Sequence, residues 1–411
     1  MISFTQTQLK GVLNLRLIRP THVSKFQCNG SACNSNCCRE WEISIDDETF
    51  EKYSKLDSEL RDEILSNLKI MRGQHYVQLR EDFICPFLDN DNLCKLQKQF
   101  GEGFISDLCA SYPRVAYRIR GENDDGKIEE VVEQSLVVTC PVAAREIFFS
   151  GQTEFEEQVF DDDLLTTSKK FRLIFDWSKN VELAFKSRWL KIQMQAIGIL
   201  QAADFPFDRR LYLLLDFFSQ LDKYRDSFID ELKTLDSQLN EGFSFDEAVL
   251  SGSTRFKLDS HMNFMTEIFN ELYKFPDDEI HRNAMKATFI DARRNFLPEL
   301  IERYSQPLEN FLVNEFFMRL YPFTFKLPKR PNDQFLLNGM IFATVFKCLI
   351  LVMAMTYISR RGNFTDEDFL LMANRTIERI DHNRSGINMI CEKVADRFKS
   401  LDDFANSMFE L

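Results

Sequence analysis

Eight cysteines crowd the first third of this 411-residue chain: Cys28-x4-Cys33-x3-Cys37-Cys38, then Cys85-Pro86, Cys94, Cys109 and Cys140-Pro141. The other two of its ten, Cys348 and Cys391, stand alone in helical patterns and read as the small buried hydrophobes that free cysteines usually are. Thiols gathered by short loops are different. As thiolates they are the soft ligands that zinc and iron–sulfur clusters select. Adjacent Cys37 and Cys38 can both reach one centre, or one can ligate while the other packs. A disulfide framework also crowds cysteines, but it belongs to oxidising compartments. Met1 to Phe26 lacks a charged start followed by an unbroken apolar run, so no secretory signal is read and a cytoplasmic location is expected. The spacing is neither the C-x3-C-x2-C of radical enzymes that use S-adenosylmethionine nor a ferredoxin run, so it leaves zinc and iron–sulfur both open.

Other residues offer less. His22 and His75 lie near the cysteines and are candidate ligands, but isolated histidines are more often surface or satisfied core groups. Asp89-Asn90-Asp91-Asn92 lacks the glycine and downstream glutamate of a calcium loop and reads as a turn. Gly101-x-Gly103 follows no strand and has no third glycine, and neither a P-loop nor a G-x-S-x-G elbow occurs. The formal charge of −13 comes without a Lys/Arg cluster, which excludes a nucleic-acid groove.

The elements that must position the thiols are short. Helices are expected over Glu48–Leu56 and Glu59–Arg72, strands over Tyr76–Arg80 and Val115–Arg120. Gly121 to Gly126 forms a polar turn, with Val131–Thr139 returning as hairpin partner. From Val181 the apolar spacing is helical: Val181–Ala203, Asp208–Tyr224, Phe256–Phe275, Asn283–Arg303 and Leu308–Leu320. A last helix follows Thr365, where Thr-Asp-Glu-Asp makes a capping sequence. Phe335 to Ile358 is long enough to cross a membrane. Asn338 and Lys347 interrupt it, and a central lysine costs roughly 2.5–3.5 kcal/mol on insertion scales, so a buried core helix is expected and no membrane span. With 44% hydrophobic residues, 40 Phe and only 14 Gly and 11 Pro, long packed elements are expected. The reading is a mainly α protein: an N-terminal α+β cysteine-cluster domain over 1–150, a connecting segment over 151–180, and an all-α helical domain over 181–411.

The residues around the cysteines carry a resemblance. Phe26-x-Cys28-x-Gly30-x-Ala32-Cys33-x3-Cys37-Cys38-x2-Trp41 resembles the opening of the flagellin lysine-N-methylase (FliB) family. So do Cys85-Pro86-Phe87-Leu88-Asp89 with Leu93-Cys94, Cys109-x-Ser111-Tyr112-Pro113-Arg114, and Ser135-Leu136 to Thr139-Cys140-Pro141. Farther on, Asn314-Glu315-Phe316-Phe317-x-Arg319-Leu320-x-Pro322-Phe323 resembles that family's C-terminal half. Shorter YkgJ-type cysteine-cluster proteins share only the N-terminal pattern. The resemblance implies methyl transfer to lysine ε-amino groups of flagellin, with S-adenosylmethionine as donor and a [4Fe–4S] cluster on the cysteines. Ligands are expected among Cys28, Cys33, Cys37 and Cys38, with Cys85, Cys94, Cys109 and Cys140 as the other set. A zinc-stabilised, non-catalytic interaction protein is the alternative from a different class.

Overall fold

The computed structural model describes residues 14–33, 37–39, 41–122, 128–161, 168–169, 173–176, 188–222, 224, 229–241, 245, 255–257, 262–274, 278–318, 348–352, 354–358, 362–381, 384–398 and 400–410. Strand β1 (Asn14–Pro20) runs into α1 (Thr21–Lys25) and then the first cysteine loop. After β2 (Ser44–Ile45), helix α2 (Asp47–Ser54) opens on Asp46, whose side chain accepts from the Thr49 amide at 2.9 Å. Asp47 and Glu48 fill the first turn, where the helix dipole favours negative charge.

Helix α3 (Ser58–Ser66) starts on Asp57 in the same way but stops short of the expected Arg72. The chain instead forms β3 (Leu68–Met71), which returns as β4 (Gln74–Val77). Arg72 and Gly73 make the turn at φ +54° and +78°. Positive φ at both central residues gives the two-residue turn whose twist suits a hairpin, and glycine supplies one of them without strain. Pairing with β4 is what draws Leu68–Met71 out of the helix. The three strands order as β2-β4-β3. Two short helices follow, α4 (Lys95–Phe100) and α5 (Asp107–Ser111).

The expected hairpin is present as β5 (Arg114–Glu122) and β6 (Ile128–Leu136), with Tyr117 opposite Glu133. Helix α6 (Pro141–Phe149) carries its proline in the first turn, where the missing N–H costs nothing. Strands β7 (Phe155–Asp161) and β8 (Leu173–Asp176) lie within the segment read as a connection. Together with β1 they complete a five-stranded sheet ordered β7-β1-β6-β5-β8. In it β1 runs parallel to β6 and β8 parallel to β5.

Helices dominate the remainder. They are α7 (Trp189–Leu200), α8 (Phe207–Asp222) and α9 (Ile229–Glu241), then, after β9 (Arg255–Phe256), α10 (Met262–Tyr273) and α11 (Glu279–Met318). After them come α12 (Asp366–Asp381), α13 (Arg384–Arg397), α14 (Leu401–Met408) and β10 (Phe409–Glu410), which pairs with β9. The protein is mainly α. Helix α11 runs unbroken for 40 residues although Pro298 and Pro307 lie inside it. Two helices were expected there. Every residue from Pro307 to Met318 is buried, and packing of the helix against β6, α6, α7 and α10 holds it across a position that by itself disfavours it.

The long apolar segment 335–358 lies partly outside the described residues. Its last part, 348–352 and 354–358, is helical, and Cys348, Leu349, Ile350 and Leu351 are fully buried. No helix among the described residues is long and apolar enough to cross a membrane. Helix α12 has the capping box its sequence announced: Asp368 donates its amide to Thr365 Oγ1, and Asp368 Oδ2 accepts from the Thr365 amide.

Two apolar cores result. One, here called the lobe, contains Ile43, Ile45, Tyr53, Ile64, Val77, Phe87 and Leu96, with Cys85 among them. The other, the body, joins Ile18, Ile119 and Val131 of the large sheet to α6 and the helices from α7 to α14. Lys169 ties lobe to body: its Nζ donates to Ile105 O at 2.7 Å and Thr49 Oγ1 at 3.1 Å and pairs with Asp107.

Candidate metal centre

Each candidate thiol is set by a tight local device. Gly30 takes φ +55° and opens a single 3-10 turn, Gly30–Ala32. Its amide approaches Cys28 Sγ at 3.3 Å, and its carbonyl accepts from the Cys33 amide at 3.1 Å. Cys85 and Cys38 are joined through the backbone, Cys85 N donating to Cys38 O at 2.8 Å. Cys85 then heads a turn closed by Leu88 N to Cys85 O, and Leu88 bridges Cys94. Asp89-Asn90-Asp91-Asn92 is the turn between them, with Asp89 Oδ1 accepting from the Asp91 and Leu93 amides. Cys94 precedes α4 and Cys140 precedes α6, both at the N-cap position. Cys109 lies in α5, its amide held by the N-cap Ser106 Oγ at 3.2 Å.

Several of the thiols lie within electrostatic reach of one another. Cys37, Cys38 and Cys85 form a hydrogen-bonded chain of sulfurs, and the bond to Cys38, ahead of burial, pushes the Cys37 thiol far up. Burial raises Cys94, and pushes Cys109 and Cys140 to about 12. A thiolate at Cys37 would be felt at Cys94, Cys109 and Cys140, one at Cys33 at Cys140, and one at Cys28 or Cys140 at Arg114. All nine cysteines whose side chains are described, Cys348 included, are free thiols.

The residues of the quoted motifs brace this cluster. Trp41 donates its indole N–H to the Cys37 carbonyl and lies 5.2 Å from Tyr112, ring to ring. Tyr112 shares a hydrogen bond with Thr139, next to Cys140. Arg114 stacks over Phe26 at 5.0 Å and donates to the Phe26 carbonyl at 3.2 Å.

The donor set has the chemistry of a thiophilic centre. Thiols pushed this far up stay protonated unless a cation supplies the counter-charge, and a bound metal deprotonates them outright. Among the described residues, no three Cys, His, Asp or Glu side chains stand as a ready ligand group for one ion. Neither histidine joins the thiols. His75 is stacked on Phe50 at 3.7 Å, and His22 is buried in the body, hydrogen-bonded to Asn314.

That asparagine belongs to a polar seam that sequence reading missed. Asn314 of α11 donates to Leu136 O at 3.0 Å and accepts from Ser135 Oγ at 2.7 Å. One turn earlier Asn310 donates to Phe148 O and Gly151 O, and beside it Glu309 forms a buried ion pair with Arg210. Two residues from Ser135 on the same face of β6, Glu133 accepts from Gln193 Nε2 of α7 at 3.2 Å. Burial pushes the Glu133 carboxyl well above the usual glutamate range. Little in the sequence signals it, since β6 carries Glu129, Glu130, Glu133 and Gln134, and only the fold shows that Glu133 is buried.

Comparison with known proteins meets this architecture in its helical part. The family model for the FliB lysine N-methylase C-terminal domain matches residues 193–406. The "Lysine-N-methylase" of Salmonella typhimurium is 25% identical over 236 residues, 55% of this chain and 53% of the relative. Its counterpart in Salmonella choleraesuis matches to the same extent. The "Flagellar biosynthetic protein FliU" of Salmonella muenchen is 31% identical over 133 residues, 31% of this chain and 73% of the relative. The chain thus spans about half the length of the two lysine-N-methylases it matches. No solved structure matches it. Because the family model covers more than half of the chain, from Gln193 of the seam into α14, the protein belongs to the FliB lysine N-methylase family.

Proposed function

We propose that this protein is a lysine N-methyltransferase that modifies flagellin lysine ε-amino groups, with S-adenosylmethionine as donor and a [4Fe–4S] cluster on thiols drawn from Cys28, Cys33, Cys37, Cys38, Cys85, Cys94, Cys109 and Cys140. The observation that carries the reading is the family match over residues 193–406. The names of the Salmonella relatives add lysine methylation and a flagellar setting. The crowding of free thiols beside the body supports the cluster.

The donor supplies a methyl group made electrophilic by its sulfonium. The protein has to bring the amine in line behind that methyl and remove its proton, because only the neutral amine has a lone pair to give. The body can do this with buried acceptors in apolar surroundings, which the seam along β6 and α11 contains. The lobe braces the thiols, and Lys169 fixes the lobe to the body. No redox step is needed for displacement at the methyl group, which leaves the cluster a binding or structural part.

The test is to purify the full chain without air, incubate it with S-adenosylmethionine and flagellin, and weigh the flagellin. Gains in multiples of about 14 Da, one methyl in place of one hydrogen, support the reading; unchanged flagellin mass with intact cluster removes that substrate. A second reading is favoured by the small lobe core: a zinc-stapled interaction protein. It expects a colourless protein with stoichiometric zinc and no methyl transfer, against a brown protein with acid-labile sulfide.

A further inference from the structure

Glu133 lies on β6 within the large sheet, flanked in register by Ile18 of β1 and Tyr117 of β5, and is 1% exposed. Its Oε2 accepts from Gln193; its Oε1 meets no donor. Gln193 is 2% exposed, and its amide nitrogen is shared among Glu133 Oε2, Phe316 O at 3.3 Å and Phe317 O at 3.2 Å. Its own oxygen also meets no donor. Two linked side chains therefore present one bare acceptor each, deep in the body.

Glu309, one of the other buried carboxylates on this seam, is paired with Arg210. Among the described residues no cation does the same for Glu133, and bare buried acceptors of this kind call for an explanation. What is missing is a compact donor. An ammonium brings three N–H groups and no acceptor, and a lysine carries it on a slim apolar stem that passes between apolar walls.

We propose that Glu133 and Gln193 form the subsite that takes the ε-ammonium of a substrate lysine. This rests on the methyltransferase reading. In the subsite the proton leaves Nζ for Glu133 Oε1, and the freed lone pair forms the new N–C bond to the sulfonium methyl. The C–S electron pair departs with the thioether, and Glu133 keeps the proton until the product leaves. The step needs Glu133 ionised as the ammonium enters, and burial, which raises the carboxyl's affinity for a proton, then drives the transfer towards Oε1. The Gln193 oxygen holds a second N–H and fixes the angle of approach.

Calorimetric titration of the full, metal-loaded protein with short end-blocked peptides tests the assignment. One peptide carries lysine, one norleucine in its place. The wild type is expected to bind the lysine peptide at least tenfold tighter than the norleucine peptide, and Glu133→Gln to lose that preference while binding norleucine unchanged. Gln193→Met, which keeps shape but removes the acceptor, is the second variant and should lose part of it; thermal melting confirms that each is folded. A Glu133→Gln protein that still prefers lysine, or a wild type that does not, overturns the proposal. The parent reading is separable. If both proteins methylate flagellin equally, the subsite fails and the methyltransferase stands. If lysine preference depends on Glu133 but no protein gains methyl mass, the subsite stands and methyl transfer fails.

Discussion

The Asn92 side-chain amide donates to the carbonyl oxygen of Cys33 at 2.9 Å, joining the first cysteine loop to the turn before Cys94. Asn92 holds φ +65°, a left-handed conformation that asparagine tolerates better than most residues. Asn92→Ala loses both the bond and the tolerance. It should destabilise the lobe by about 1–3 kcal/mol. Asn92→Gly relieves the backbone but not the bond and should fall between; chemical denaturation followed by Trp41 fluorescence ranks the three.

Substituting Cys38 removes the middle of the Cys37–Cys38–Cys85 sulfur chain. Cys38→Ala is expected to lower bound metal and the melting temperature of the lobe together, because lost ligation is lost folding energy. Cys348→Ala, a buried thiol far along the chain, serves as control and should leave metal content unchanged. Equal metal in the two variants, by elemental analysis of air-protected protein, removes Cys38 from the ligand set.

The Arg210–Glu309 pair is almost completely buried on both sides, and Gln306 also donates to Glu309 at 2.9 Å. Glu309→Leu leaves an uncompensated guanidinium inside the body and should cost about 3–5 kcal/mol. Changing both residues to leucine should recover most of that, since a well-packed apolar pair is often as stable as a buried ion pair. Equilibrium urea melts of the singles and the double close the cycle.

His22 is buried, and burial foremost, with Lys25 adding to it, pulls its pKa from 6.5 to about 4. The unfolded chain therefore takes up its proton first as pH falls. Stability from this group is complete above about 6.5 and drains away between there and about 4, by about 3 kcal/mol in all. His22→Asn should flatten the pH dependence of stability in that interval, measured by urea melts from pH 7.5 to 4.

How much could be read in advance varied with the physics involved. Caps and hairpins are local, so Thr365 with Asp368 and the β5–β6 pair were legible. Helix α11 was not, because Pro307 signals a break locally while the packing that overrules it comes from distant parts of the chain. Nor was β1 as a sheet member: Arg16 finds Val131 across more than a hundred residues. The cysteine spacing pointed to thiol chemistry, and the structure joins Cys37, Cys38 and Cys85 without assembling a ready ligand group among the described residues. It could not show the Glu133–Gln193 contact, which joins a strand to a helix with no motif linking them.

Arg114 reaching back to Phe26 has a topological meaning. Those two residues are the stems through which the chain leaves the large sheet after β1 and rejoins it at β5. The whole lobe is thus an insert with adjoining ends, spliced into a sheet whose own strands close without it. Such a part can be shortened, swapped or elaborated without rethreading the body, provided that Cys140 and Lys169, both rooted outside the insert, still find their places against it.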